Sequence, residues 1–172
     1  MTGMNRSREE RRARVCHLTS VHTPFDTRIF SKECRSLAEA GYEIHLVAGD
    51  VEDGVRDGVR VHGVRRSRNR IGRMIFTAAA VYRVVIALDA DLYHFHDPEL
   101  IPAGLLLKLR GKRVVYDIHE DNASWLTFNE AIPRLFRKAV AWAFAHFERF
   151  AARRFDALVT VIPTIVERFA RL

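Results

Sequence analysis

Only two cysteines, Cys16 and Cys34, occur in 172 residues. That is too few to frame a small disulfide-stapled fold, so a reduced, cytoplasmic protein is the expectation. Long apolar runs are also missing. The longest, Met74 to Tyr82 and Ala139 to Phe144, are broken by Arg83 or by His146 and Glu148, well short of the roughly 20 residues that span a bilayer. No apolar stretch precedes Val15 that could serve as the core of a signal peptide. There is no internal repeat, low-complexity tract or second domain. Acidic residues are in deficit, 21 against 28 lysines and arginines, which leaves a net charge of +7.

What is present is an ordinary globular balance, 48% hydrophobic and 28% charged, in a chain long enough to bury one real core. The positive excess is unevenly placed, with seven arginines against Asp57 alone between Arg56 and Arg73. A basic surface of this kind attracts nucleic acid, anionic lipid or phosphorylated substrates. No aromatic-interleaved basic motif or zinc-knuckle spacing accompanies it, so nucleic acid is not an expected partner.

Residues 1–13 read as a disordered basic arm, and residues 14–172 as a single domain. Val15 to Thr19, Tyr42 to Ala48, Val59 to Val64, Asp91 to Phe95, Arg113 to Ile118 and Asp156 to Ile162 read as six strands. Between them, Thr27 to Ala40, Met74 to Leu88, Glu99 to Leu109 and Pro133 to Arg154 carry helical spacing, and Pro163 opens a last helix. Gly49 to Gly58 reads as a turn-rich connection, and Leu135, Val140, Phe144, Phe147 and Phe150 as the apolar stripe of the long helix. This alternation predicts an α/β fold: a doubly wound, mostly parallel, Rossmann-like sheet of about six strands in the order 3-2-1-4-5-6.

Open parallel sheets take ligands at the carboxyl ends of the strands, where the strand order reverses. Here those ends are the loops after strands 1, 4 and 5, which read SVHTPFDTR from Ser20, HFHDPE from His94 and DIHED from Asp117. Polar side chains at strand ends add little to a core and cost free energy if buried unpaired. Alternation puts His94 and His96 on one face, with Tyr93 and Phe95 opposite, and one of the two histidines reads as a satisfied core residue. Asp97, just before Pro98, reads as an N-cap whose carboxylate accepts the free N–H groups of the following helix. His119, just past an apolar strand and flanked by carboxylates, is the best candidate for a ligand-facing imidazole.

Two well-separated blocks, DTRIFSKECRSLAEAGYEI from Asp26 and HFHDPELIPAGLLLKLRGKRVVYDIHED from His94, resemble the N-terminal domain of family 4 glycosyltransferases. The likeness extends over nearly all of Val15 to Leu172. It implies one half of a GT-B fold, with the acceptor mainly on this domain and a nucleotide diphosphate sugar mainly on a second. It further implies a retaining transfer of a hexose-type sugar to a glycan or lipid-linked acceptor, with no metal or other cofactor; separately, the arginine cluster from Arg65 to Arg73 leads to the expectation of a phosphorylated or membrane-associated acceptor and peripheral contact at the inner membrane face. The family's histidine beside the transferred sugar falls on His119. Arg28 is then expected near the phosphates or acceptor, and His96, Glu99 and Glu120 as substrate contacts. Many members carry a glycine pair in the first loop, where this chain has His22-Thr-Pro-Phe-Asp-Thr-Arg. The family's glutamate-bearing donor motif belongs to the second half, for which no segment here stands in, so the chain alone is expected to transfer no sugar.

The residues by themselves leave one alternative open. His94-x-His96-Asp97 and Asp117-x-His119-Glu120 have the types and spacings that ligate zinc or manganese, which would suit a metal-dependent hydrolase.

Overall fold

The structure is a computed structural model that describes residues 12–170. All but the last two residues of the expected basic arm therefore lie outside the described residues. The strands are β1 (Arg14–Leu18), β2 (Glu43–Gly49), β3 (Gly54–Arg56), β4 (Val59–Val64), β5 (Leu92–Phe95), β6 (Arg113–Asp117) and β7 (Ala157–Val159), in the sheet order β3-β4-β2-β1-β5-β6-β7. Every neighbouring pair is parallel except β3 with β4. Six of these strands follow the order expected from the alternation. β2 is almost continuously buried, as a strand must be when helices cover both faces of a parallel sheet.

The seventh strand is the antiparallel edge β3, within the segment expected to be only a turn-rich connection. Its hairpin closes through Asp57 and Gly58, both at positive φ (49° and 79°), the backbone that a two-residue primed turn requires and that Asp-Gly favours.

The helices are α1 (Arg35–Glu39), α2 (Arg70–Gly72), α3 (Ala78–Leu88), α4 (Ile101–Leu109), α5 (Asn122–Phe128), α6 (Arg134–Ala152) and α7 (Pro163–Phe169). α1 continues a π-wound segment, Thr27–Cys34, opened by Asp26, whose carboxylate accepts from the N–H groups of Arg28 and Ile29. α3 likewise continues the π-wound Arg73–Thr77, and α4 a 3-10 turn at Pro98–Leu100. α5 was not expected from the sequence. It starts where Asp121 accepts from Ser124 N at 3.1 Å, an N-cap that satisfies one of the free donors of a helix start.

One face of the sheet packs Cys16, Leu18, Tyr93, Phe95, Val114 and Tyr116 against α3, α4, α6 and α7. The other packs Val15, Ile44, Leu46 and Val61 against Ile29, Phe30 and Cys34. α4 lies close on β5 because residue 104 is glycine: a Cβ there would come within 2.8 Å of the Phe95 ring and 3.1 Å of Phe155.

α6 overturns the expected apolar stripe. Its buried residues are Ala141, Glu148, Ala151 and Ala152, with Phe144 partly buried, whereas Leu135 is 84% exposed and Phe150 50%. Small side chains set the contact face because they let the helix backbone approach its neighbours, which turns the bulky residues outward. Buried Glu148 accepts from Tyr116 Oη at 3.1 Å and pairs with Arg168 at 3.3 Å. No helix among the described residues is long and apolar enough to cross a membrane.

Candidate functional site

The strand order reverses between β1 and β5, so the segments leaving these two strands diverge and open a crevice at their carboxyl ends. Asp97 ties its two sides together. Its Oδ2 accepts from Thr19 Oγ1 at 2.7 Å, Ser20 N at 2.6 Å and Val21 N at 3.2 Å. It makes no side-chain hydrogen bond to the helix it precedes, which corrects the capping role expected from its place before Pro98. Three donors of the β1 strand end and loop lie within hydrogen-bond distance of the carboxylate and claim it instead. Asp97 Oδ1 also lies 3.4 Å from His22 Nε2.

At the end of β6, fully buried Asp117 is the hub. Oδ1 accepts from Arg28 Nη2 at 2.5 Å, and Oδ2 lies 2.9 Å from His119 Nε2 and 3.3 Å from His96 Nδ1. Burial alone would raise its pKa, but hydrogen bonds from His119 and His96 overcome that and hold the carboxyl well below its usual value. An ionised carboxylate with three partners is well placed to fix both an imidazole and a guanidinium.

The residues expected at the site occupy three kinds of position. Arg28 and His119 remain partly open, their side chains 25% and 15% exposed, and both are held by Asp117. The His119 ring tilts against that of His22, centroids 4.6 Å apart. His96 and His119 come together, Nδ1 to Nε2, at 3.2 Å. The His96 side chain is nonetheless wholly enclosed, so it bears on His119 and Asp117 rather than forming part of the crevice wall. Glu99 lies near the mouth, 3.4 Å from Ser20 Oγ and 3.9 Å from Arg73 Nε. Glu120 is exposed. Of the ligand sets in the hydrolase alternative, Asp97 faces the β1 loop instead of His94, and exposed Glu120 is not grouped with Asp117 and His119.

Two participants, His17 and Glu33, were not singled out from the sequence, and Asp117 was named only as a possible metal ligand beside His119, not as a hub; its place as the last residue of a buried strand was the available signal. His17, inside an apolar strand, and Glu33, inside an amphipathic helix, carried no local signal. The winding of Thr27–Cys34 explains Glu33. In a π-helix residues five apart lie nearly above one another, and Ser31 N bonds to Asp26 O in that pattern at 3.3 Å. Arg28 Nε and Glu33 Oε1 therefore meet at 3.4 Å.

Beside the crevice, Val21, Asp50, Arg66, Ser67, Arg68 and Arg73 line a shallow cavity of about 390 Å³. Arg66 donates to Val21 O at 2.8 Å, which joins the basic segment to the first loop. Large apolar side chains follow directly along the chain: Ile71 is 71% exposed and Phe76 70%.

The profile of the glycosyl transferase 4-like domain matches residues 27–172. No curated protein matches the chain at a significant level. Among solved structures, the sucrose-phosphate synthase of Thermosynechococcus elongatus is similar in fold, with a TM-score of 0.68 at 12% identity over 93% of this chain. The chain spans 45% of that protein's length.

Proposed function

The chain belongs to the glycosyl transferase 4-like domain family, and from that premise we propose that it forms the acceptor-side half of a nucleotide-sugar-dependent glycosyltransferase, completed by a donor-binding domain. The observation that carries this reading is the Arg28–Asp117–His119 constellation at the switch point of the sheet. An acceptor-side wall needs polar groups held in fixed orientation and open to a ligand, and His119 and Arg28 meet both conditions. His119 contacts the transferred sugar. Asp117 orients it and disperses positive charge that gathers on the imidazole, and His96 supports both from beneath. Glu99, at the mouth, and exposed Glu120 offer carboxylates to sugar hydroxyls.

Transfer breaks the bond between the anomeric carbon and the leaving diphosphate and forms one to the acceptor oxygen, whose proton passes to the departing diphosphate. In our reading the transfer is retaining, moves a hexose-type sugar and stabilises the departing diphosphate with basic side chains and helix N-termini, without a metal ion on the phosphates. The arginine-lined cavity beside the first loop, with exposed Ile71 and Phe76 next to it, suits an acceptor carrying phosphate and a lipid tail at an anionic membrane face.

The test is an assay with a panel of nucleotide sugars, on this chain alone and on a polypeptide that joins it to its donor-binding domain. The chain alone is expected to be inactive. In the joined protein, His119→Ala is expected to lower kcat by a factor on the order of 10² to 10³, as removal of one preorganised contact to the reacting group does. Turnover by the chain alone at the rate of the joined protein, or a His119→Ala variant that keeps its kcat, would overturn the proposal.

A further inference from the structure

Beneath the crevice, on the sheet face covered by Thr27–Cys34, three histidines and one glutamate converge. His17 and His94 are register partners on the parallel strands β1 and β5, and His96 lies two residues beyond His94. Their ring centroids are 4.7 to 5.3 Å apart. Glu33 reaches them from the π-wound segment, its Oε2 3.7 Å from His17 Nδ1, 3.9 Å from His94 Nδ1 and 3.8 Å from His96 Nε2. His17 Nδ1 and His96 Nε2 are 3.0 Å apart. One ligating atom from each of the four residues lies within 4.8 Å of all the others.

From this geometry we infer that His17, Glu33, His94 and His96 form a binding site for one divalent transition-metal ion of the zinc class. Zinc takes nitrogen and carboxylate oxygen at bonds of about 2.0 to 2.1 Å, so the edges of its coordination tetrahedron are about 3.3 Å. The 3.0 Å between His17 and His96 and the 3.7 to 3.9 Å from Glu33 Oε2 to the three imidazoles bracket that length, and the remaining spacings lie within 4.8 Å.

Hydrogen bonding leaves the cluster short of a partner. Glu33 Oε2 is buried and accepts no hydrogen bond, although three imidazole nitrogens surround it, and a buried carboxylate oxygen without a donor is costly. A cation at the centre satisfies it. Both ends of the cluster are also braced from outside as metal ligands are. His96 can donate Nδ1–H to Asp117, which leaves the Nε2 lone pair aimed inward. Arg28 holds Glu33 Oε1, which leaves Oε2 to face the histidines.

The ion ties the segment bearing Arg28 to β1 and β5. It lies below His119 and makes no claim on the donor phosphates, so this site stands or falls independently of the transfer reaction. Its ligands also differ from those suggested by local spacing: His17 and Glu33 join His94 and His96 where the hydrolase alternative had Asp97, and none of its second set, Asp117, His119 and Glu120, is a ligand.

The experiment uses the full 172-residue chain, stripped with a chelator and then supplied with Zn²⁺ alone or Co²⁺ alone. One equivalent of zinc is expected to survive passage over a chelating resin, and cobalt to give the intense visible absorption of a four-coordinate site. Glu33→Gln and His94→Gln change partly open side chains. Each is expected to weaken zinc binding by a factor on the order of 100 or more, at or beyond the loss seen when only a supporting partner is removed. His119→Ala, which alters the neighbouring group of His96, Asp117 and His119, is expected to bind zinc as the unaltered chain does. Zinc should also raise the thermal midpoint of the unaltered chain and not that of Glu33→Gln. The proposal is overturned if the unaltered chain retains no zinc and shows no cobalt absorption, if both glutamine variants bind like the unaltered chain, or if binding is lost only in His119→Ala.

Discussion

Replacing Asp117 by asparagine keeps the shape of the hub and removes its charge. The amide oxygen can still accept from Arg28, but on the other side an NH₂ group replaces the oxygen shared by His119 and His96. Hydrogen bonds to a charged group contribute about 1.5 to 3 kcal/mol each, and removing one partner of a fully buried pair costs about 3 to 5 kcal/mol. Asp117 is fully buried, but Arg28 and His119 keep side-chain exposures of 25% and 15%, so water can replace part of what they lose. We expect Asp117→Asn to destabilise the chain by about 2 to 3 kcal/mol, at or below the low end of the range for fully buried pairs because of that exposure. Urea unfolding, with an unchanged dependence on denaturant, measures it. A double-mutant cycle with Arg28→Met isolates the pair, for which a coupling of about 1 to 2 kcal/mol is expected. Coupling below about 0.5 kcal/mol, the scatter of independent sites, would show that Asp117 does not hold Arg28, and the account of the site would fail with it.

Gly104→Ala forces a Cβ to within 2.8 Å of the buried Phe95 ring and should cost about 1 to 3 kcal/mol, as overpacking does; a thermal midpoint equal to that of the unaltered chain would refute the close packing of α4 on β5. Asp121→Ala removes the cap of α5 and should cost about 1 kcal/mol at neutral pH. Backbone and side-chain hydrogen bonds from Ser124, then Arg168, hold the Asp121 pKa below 3.8 despite some burial. The charge-dependent part of its contribution is therefore complete above that unfolded-state value and is lost as pH falls through the lower folded value; a difference between the two proteins that grows on acidification would contradict this. Arg65 and Arg68 are exposed, and replacing both by alanine should weaken sedimentation with anionic vesicles by about 2 kcal/mol at low salt, whereas binding indifferent to lipid charge and to salt would leave the segment a solvated face.

The period of the apolar residues determined most of the architecture, because a strand buried on both sides and a helix buried on one leave different patterns in the chain. Six strands, their order and the crevice where the order reverses follow from that alternation and from the handedness of the crossovers. Asp57-Gly58 carried a turn signal for the edge hairpin, but β3 is short and fully exposed and lacks the apolar alternation that marks a strand, so the segment read only as a turn-rich connection. The face of α6 was not legible, because five bulky apolar residues at helical spacing outweigh three alanines in any periodicity count, while close helix packing favours the alanines. Only the tertiary structure could assign Asp97 to the β1 loop, since its donors come from residues 76 to 78 positions away. The same holds for His17 and Glu33. Nothing local distinguishes a histidine within a buried strand from a core residue, and a glutamate inside a helix ordinarily faces water. Parallel register sets His17 beside His94, and π-winding turns Glu33 inward to meet them. Long-range pairing and backbone winding together decide which polar side chains share one enclosed space.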